Sequence, residues 1–241
     1  MTNNPLNIEN LDKSFGKHKV LDNISINVEN GDIFGLIGLN GAGKTTMIKI
    51  ILGLLNSDKG AVNIFGKQSL DKNARKNLSF LPEKFYPSNF LKGKEFLSLT
   101  CSYYNKNFDI KRAKELAEIL RLEPKVLDDR VSSYSKGMGQ KLGLLSSLLV
   151  DCPFLMLDEP MSGLDPSSRI ALKDALKEYA SSHTGNTIFF SSHILSDIDE
   201  ICNKIAILHD AKIIYSGSPQ GFKDKQKENN LERAFLKAIG G

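Results

Sequence analysis

Residues 38–45 read GLNGAGKT, which satisfies the pattern G-x-x-x-x-G-K-[ST] between a short apolar run, DIFGLIG, and a helical pattern, TTMIKIILGLL. Glycines in such a run let the backbone wrap until successive N–H groups face inward, and the start of the following helix adds partial positive charge. A cradle of this kind holds phosphates. Its expected contacts run through Gly38, Leu39, Asn40, Gly41, Ala42 and Gly43 to Lys44, Thr45 and Thr46. Lys44 is expected on the β- and γ-phosphates, and the Thr45 hydroxyl on Mg²⁺.

FLMLDEP (154–160) ends a second apolar run with Asp158 and Glu159. Open α/β sheets bind ligands at the carboxyl ends of their strands, which is where these acids fall. Neighbouring strand residues point to opposite faces, so separate jobs are expected. Asp158 is the candidate for positioning Mg²⁺, and Glu159 faces the γ-phosphate side, as a base or an aligner for the attacking water. A third run, TIFFSSH (187–193), brings His193 to the same edge, where the expected role is to sense the γ-phosphate.

These groups need a scaffold that ends several strands side by side. DIFGLIG (32–38), PFLMLDE (153–159) and TIFFSSH are near-continuous apolar runs, suited to strands buried on both faces. Helical patterns flank them: TTMIKIILGLL, GQKLGLLSSLLV and PSSRIALKDALKEYA. Strands alternating with helices predict an α/β fold with a wound, mostly parallel core sheet. LNIENLDKSF and ISINVEN alternate polar and apolar residues instead, and predict two exposed antiparallel strands. Between Pro87 and Arg130, GKEFLSLTCSYYN and IKRAKELAEILRL predict helices with no strand between them, an inserted α-helical subdomain. HDAKIIYSGSP predicts a small hairpin and LERAFLKAI a terminal helix.

Composition bounds the function classes. The 241 residues, 41% hydrophobic and 25% charged, are enough for one or two domains with a real core. A net charge of +4 is too small to argue for nucleic acid, and the densest basic stretch, KDKQKEN (223–229), carries acids as well and reads as a solvated face. Cys101, Cys152 and Cys202 lack metal-ligand or redox spacing and are odd in number, which fits a reducing cytosol better than a disulfide framework. The polar start, MTNNPLNIENLDKSF, lacks the apolar stretch of a signal peptide. The longest apolar region, LGLLSSLLVDCPFLML, is broken by Asp151 and Pro153, so any membrane span is expected from another chain.

With the phosphate loop, LMLDEP, SGLD (162–165) and His193 in that order, nearly the whole chain resembles the ATPase subunits of ATP-binding-cassette (ABC) transporters. The resemblance implies the P-loop ABC-ATPase fold as one domain over residues 1–241. Its parts would be an antiparallel β region and phosphate-loop core (1–86), a helical insert (87–130), a core with signature, acids and histidine (131–217), and a C-terminal helical extension (218–241). SYSKGMGQK falls where the family's LSGGQ signature belongs, a helix start that grips the γ-phosphate of ATP bound to the other subunit. Tyr134, Lys136 and Met138 depart from that signature, whereas Ser135 and Gly137 are kept. The SKGM form resembles exporter ATPases that pair with separate membrane permeases.

The same resemblance makes Asp165 the D-loop aspartate, Phe15 the aromatic residue that stacks on adenine, and Glu83, in LSFLPEKF, the occupant of the Q-loop position. The exporters commonly show LPE there. Glu83 is expected either to reach Mg²⁺ through water or to serve in coupling to the permease. The cofactors implied are ATP and Mg²⁺; the partners are a second ATPase subunit, most simply an identical one, and an integral membrane permease, with no nucleic acid. The implied location is the cytoplasmic face of the membrane, held there through the permease. A rival within the same fold is a nucleotide-gated regulator of a protein or nucleic-acid partner, against which Glu159 and His193 argue.

Overall fold

The computed structural model describes residues 4–182 and 186–240. Residues 1–3, where the polar N-terminal stretch begins, and 241, where the C-terminal extension ends, lie outside the described residues. The chain opens with β1 (Leu6–Phe15) and β2 (His18–Val28), an antiparallel hairpin. Its alternation works as anticipated on one face only. Leu6, Ile8, Leu11, Leu21, Ile24, Ile26 and Val28 are buried, so the hairpin is half-buried and not free-standing.

Next come β3 (Ile33–Ile37) and α1 (Lys44–Ile51). The helix ends sooner than its apolar pattern, because Gly53 takes a φ of +66° and the Gly53 and Leu54 N–H groups turn back to the Ile50 and Lys49 carbonyls. The strands β4 (Lys59–Ile64) and β5 (Lys67–Gln68) then pair beside β1, giving an antiparallel sheet of order β2-β1-β4-β5.

After β6 (Leu78–Leu81) the chain leaves the sheet for α2 (Gly93–Tyr103) and α3 (Ile110–Ile119), the predicted insert. The insert is pinched at its neck, where Lys92 bridges Arg130 and Val131 N–H donates to the Leu91 carbonyl at 2.9 Å. The core sheet is completed by α4 (Lys136–Leu149), β7 (Phe154–Asp158), α5 (Pro166–Ser182), β8 (Thr187–Ser192), α6 (Leu195–Ile201), β9 (Lys204–His209) and β10 (Lys212–Gly217). Two helices, α7 (Pro219–Gln226) and α8 (Leu231–Ala238), follow.

The core sheet has the order β10-β9-β3-β8-β7-β6 and is parallel except for β10. The predicted hairpin is real but starts earlier. Its first arm is β9, and HDAK supplies the turn, with positive φ at Asp210 and Ala211. The basic stretch 223–229 is not wholly solvated either, since Lys223 bonds to Asp199 at 2.9 Å and the adjoining Phe222 is buried.

Successive residues of β7 and β8 feed two different cores. Phe154, Met156 and Phe189 pack with α1 and the antiparallel sheet, while Leu155, Leu157, Ile188 and Phe190 pack with α4, α5 and α6. Both faces are therefore dry, which is why these strands read as unbroken apolar runs. Leu97, Ala113, Leu116, Ala117 and Leu120 of the insert belong to the second core, together with Leu142, Leu144, Leu145 and Leu148 of α4. The insert has no separate core that would make it an independent unit.

Phe189 is fully buried and stacks on Phe34 with ring centroids 5.6 Å apart. Phe189→Ala should destabilise the fold by about 3–5 kcal/mol, measured as a fall in the midpoint of denaturant unfolding.

Candidate active site

Register across the core sheet decides which residues meet. Ile37 of β3 lies opposite Ser192 of β8, Ser191 opposite Asp158 of β7, and Leu157 opposite Leu81 of β6. Gly38, His193, Glu159 and Glu83 thus leave the sheet along a single carboxyl edge, the ligand-binding edge of such sheets.

Gly43 carries a φ of +109°, and a Cβ there would lie 2.9 Å from both Cγ1 and the carbonyl oxygen of Val20, so only glycine fits. No side chain caps α1, which leaves its first N–H groups to an anion. Lys44 is buried, and its Nζ donates to the Gly38 carbonyl at 2.8 Å. Leu39, Asn40, Gly41 and Ala42 line a cleft with His18, Lys19 and Val20 of β2. Phe15 ends the same hairpin, 52% exposed, with Lys13 Nζ 5.5 Å from its ring centre. A phenyl ring left so open, paired across the hairpin with His18 of that cleft, suits stacking better than packing.

Asp158 is buried among oxygens. Thr45 Oγ1 donates to its Oδ2 at 3.2 Å and Ser191 Oγ to its Oδ1 at 2.6 Å. Burial pushes its carboxyl above the usual range; the two hydrogen bonds oppose that push, and the charges of Glu159 and Glu83 reinforce it. Glu159 takes a left-handed φ of +50°, a conformation that costs a non-glycine residue about 1–2 kcal/mol. This turn changes the expectation drawn from strand alternation. Glu159 lies past the end of β7, and both acids enter one cluster with different partners. The Glu159 N–H donates to Ser191 Oγ at 3.0 Å; its Oε1 lies 3.3 Å from Lys44 Nζ, and its Oε2 lies 2.7 Å from His193 Nδ1.

Ser191 was not singled out in the sequence, yet it ties the two acids together. The signal was the pair of serines that ends an otherwise apolar run, since a buried strand gains hydroxyls only where they have polar partners.

A second group of predicted residues stands apart. Ser135 caps α4, its Oγ accepting from the Met138 N–H at 3.2 Å, which leaves its O–H to donate elsewhere. A Cβ on Gly137 would meet nothing nearer than 3.9 Å, so this helix start is open to a ligand's approach. Asp165 accepts from the Ser167 and Ser168 hydroxyls, both at 2.7 Å, and from the Ser168 N–H at 2.9 Å; these bonds hold its carboxyl far below the usual range. It also lies 3.9 Å from Lys141 Nζ on α4. No hydrogen bond or ion pair among the described residues joins Ser135, Gly137 or Asp165 to the cluster around Lys44.

Mg²⁺ suits the first group. Asp158 and Thr45 offer hard oxygen ligands side by side, and the charge that burial penalises on Asp158 is one that a cation would stabilise. Among the described residues no cluster of three or more His, Cys, Asp or Glu forms a cage of its own. Mg²⁺ is generally held by one or two protein oxygens and completed by phosphates and water.

The sequence profile described as ABC transporter matches residues 21–162, more than half of the chain. An uncharacterised ABC transporter ATP-binding protein of Synechocystis sp. is 39% identical over 208 residues, covering 84% of this chain and 57% of its own length. The chain thus spans under three fifths of that relative. The lantibiotic transport ATP-binding protein SrtF of Streptococcus pyogenes is 34% identical, with 97% of each chain covered. A solved structure described as the ATP-binding subunit of an ABC transporter superposes with a TM-score of 0.88 at 29% identity, covering 97% of this chain and 98% of the other.

Because the folded-state pKa of Asp158 is raised, its ionisation works against the fold. That penalty is absent below the ordinary carboxylate value of 3.8 and grows as pH rises toward the folded value. Asp158→Asn should therefore raise the Tm of the ligand-free protein at neutral pH, by about 2–4 °C for each kcal/mol relieved, and the gain should vanish in acid. Thermal melts across a pH series check this, and the same variant should lose the stabilisation that Mg²⁺ with nucleotide confers.

Proposed function

The chain belongs to the ATP-binding proteins of the ABC transporter family, and from that premise we propose that it hydrolyses ATP between two copies of itself to drive a separate membrane permease, in the export direction. One observation carries the reading. The groups that can hold and cleave a triphosphate gather around Lys44, whereas a second anion-ready helix start, at Ser135, shares no hydrogen bond or ion pair with them among the described residues. Two copies arranged head to tail under two-fold symmetry complete each other's sites, each Ser135 reaching the γ-phosphate bound by its neighbour's loop.

The residues divide the work. Phe15 stacks on the adenine, a contact worth about 1–3 kcal/mol. The backbone from Gly38 to Thr46 and the Lys44 amine hold the phosphate chain. Thr45 and Asp158 hold Mg²⁺, which when bound neutralises charge on the phosphates. Glu159 orients the water that attacks the γ-phosphorus and takes its proton as the bond to the ADP oxygen breaks. His193 fixes Glu159 through the 2.7 Å contact at Nδ1, leaving Nε2 for the γ-phosphate. Dimer closure is linked to nucleotide by mass action, and hydrolysis reverses it.

No helix among the described residues is long and apolar enough to cross a membrane, and in this reading the permease supplies the span and holds the ATPase at the cytoplasmic face. Support for export comes from the SKGM form of the signature, which resembles that of exporter ATPases.

Glu159→Gln should lower ATP turnover by about 10²–10⁴-fold and yield a dimer stable in ATP on size exclusion; turnover at the parental rate would remove Glu159 from the chemistry. Affinity purification from detergent-solubilised membranes should recover an integral membrane protein, and recovery of ribosomes or DNA in its place would overturn the transport reading.

A further inference from the structure

His193 is held less firmly than the carboxylate it meets. Its side chain is 46% exposed, so packing does not fix the ring. Its contacts to the cluster both go to Glu159 Oε2, from Nδ1 at 2.7 Å and from the N–H at 3.3 Å. The placement of the ring then depends on the backbone on either side. On one side β8 is secured by β3 and β7. On the other lies α6, only seven residues long, whose start at Ile194 has no side-chain cap.

Two kinds of contact hold α6. Ile198 and Ile201 are buried, and a Cβ on Gly35 would lie 2.7 Å from Ile198 Cδ1, so the helix presses closely on β3. Apolar contact of this kind is non-directional. The directional contact comes from Asp197, four residues beyond His193. Its side chain is 4% exposed and meets two cations of α5, with Arg169 Nη2 2.6 Å from Oδ2 and Lys173 Nζ 3.6 Å from Oδ1. Lys173 also bonds to Glu200 on α6, and Lys177 Nζ lies 3.6 Å from the same carboxylate. Arg169 is anchored in turn, its N–H donating to the Asp165 carbonyl at 3.0 Å.

A buried ion pair adds little stability that apolar side chains of similar volume would not. It does select one placement, because any other leaves a buried charge uncompensated. We infer that Asp197 is a positioning residue for ATP hydrolysis: gripped by Arg169 and Lys173 of α5, it fixes the start of α6 and thereby keeps the His193 ring against Glu159. Among the described residues Asp197 shares no hydrogen bond or ion pair with Lys44, Thr45, Asp158 or Glu159. Its loss therefore slows turnover and spares nucleotide binding. The inference deepens the proposed ATPase reading and rests on it for the role of His193.

Asp197→Asn keeps the size of the side chain and removes its charge. The kcat for ATP should fall by about 10–10²-fold, the scale of a misplacement of up to about 1 Å, with KM for ATP at the parental value. In a His193→Ala background the same substitution should lower kcat no further. In nitrogen NMR of ligand-free, histidine-labelled protein, the Nδ1 signal of His193, assigned by its loss in His193→Ala, should move toward that of a free imidazole in Asp197→Asn. Arg169→Gln, at a partly exposed side chain, should reproduce these effects, and it carries the test if Asp197→Asn does not fold. A lower Tm with kcat and the Nδ1 signal unchanged, or losses that multiply in the His193→Ala background, would overturn the inference. Parental turnover in His193→Ala would instead remove His193 from the ATPase reading, and the Nδ1 signal would still decide whether Asp197 places the ring.

Discussion

Two carboxylates and one ammonium group held almost dry at the end of a sheet set the terms for the rest of this structure. Asp158, Glu159 and Lys44 are all buried, and charges in such places are tolerated only when they are paired and hydrogen-bonded. Lys44 answers Glu159, but Asp158 has only hydroxyls, from Thr45 and Ser191. The cluster carries a negative excess that burial penalises. In the proposed reading a cation accompanied by phosphates would resolve it, with the metal answering Asp158 and the phosphates answering Lys44 and the amides of the loop. The site's affinity for its ligand is, on this view, the relief of an electrostatic tension that the fold imposes on itself.

The fold can impose it because of strand order. β8 lies between the strand that carries the phosphate loop and the strand that carries the acids. That spacing lets Ser191 reach Asp158 with its hydroxyl and the Glu159 N–H with the same oxygen. It also sets His193, one residue past the end of β8, against Glu159. Hydrophobic burial on both faces of β7 and β8 fixes their register, and the register aligns the chemistry. The left-handed turn at Glu159 is held against its own preference by contacts to Ser191, His193 and Lys44.

Much of this was legible in the residues. The phosphate loop announces itself, since a wrapped backbone, an amine and a hydroxyl can be encoded in few ways. The three apolar runs gave the central strands because strands buried on both faces tolerate little else. What escaped notice was local and context-bound. β4 and β5 lack a distinctive pattern of their own and form because neighbours offer them edges, whereas β9 carries a short buried apolar run, IAIL, that was legible and passed over. Ser191 matters only through partners far away in sequence, and the positive φ of Glu159 has no signature in a residue that is ordinarily helical. The Asp158–Glu159 pair is parted by different partners and not by opposite strand faces, because β7 ends at Asp158.

The helical insert and α4 share a single set of packed leucines and alanines. Two members of the family cannot then be recombined by exchanging the insert alone at its neck. A chimera cut between Leu91 and Val131 would strand half of an apolar surface and open cavities under α4. Viable transplants would carry α4 along with the insert, so the insert and the helix that Ser135 caps are inherited as one packed module.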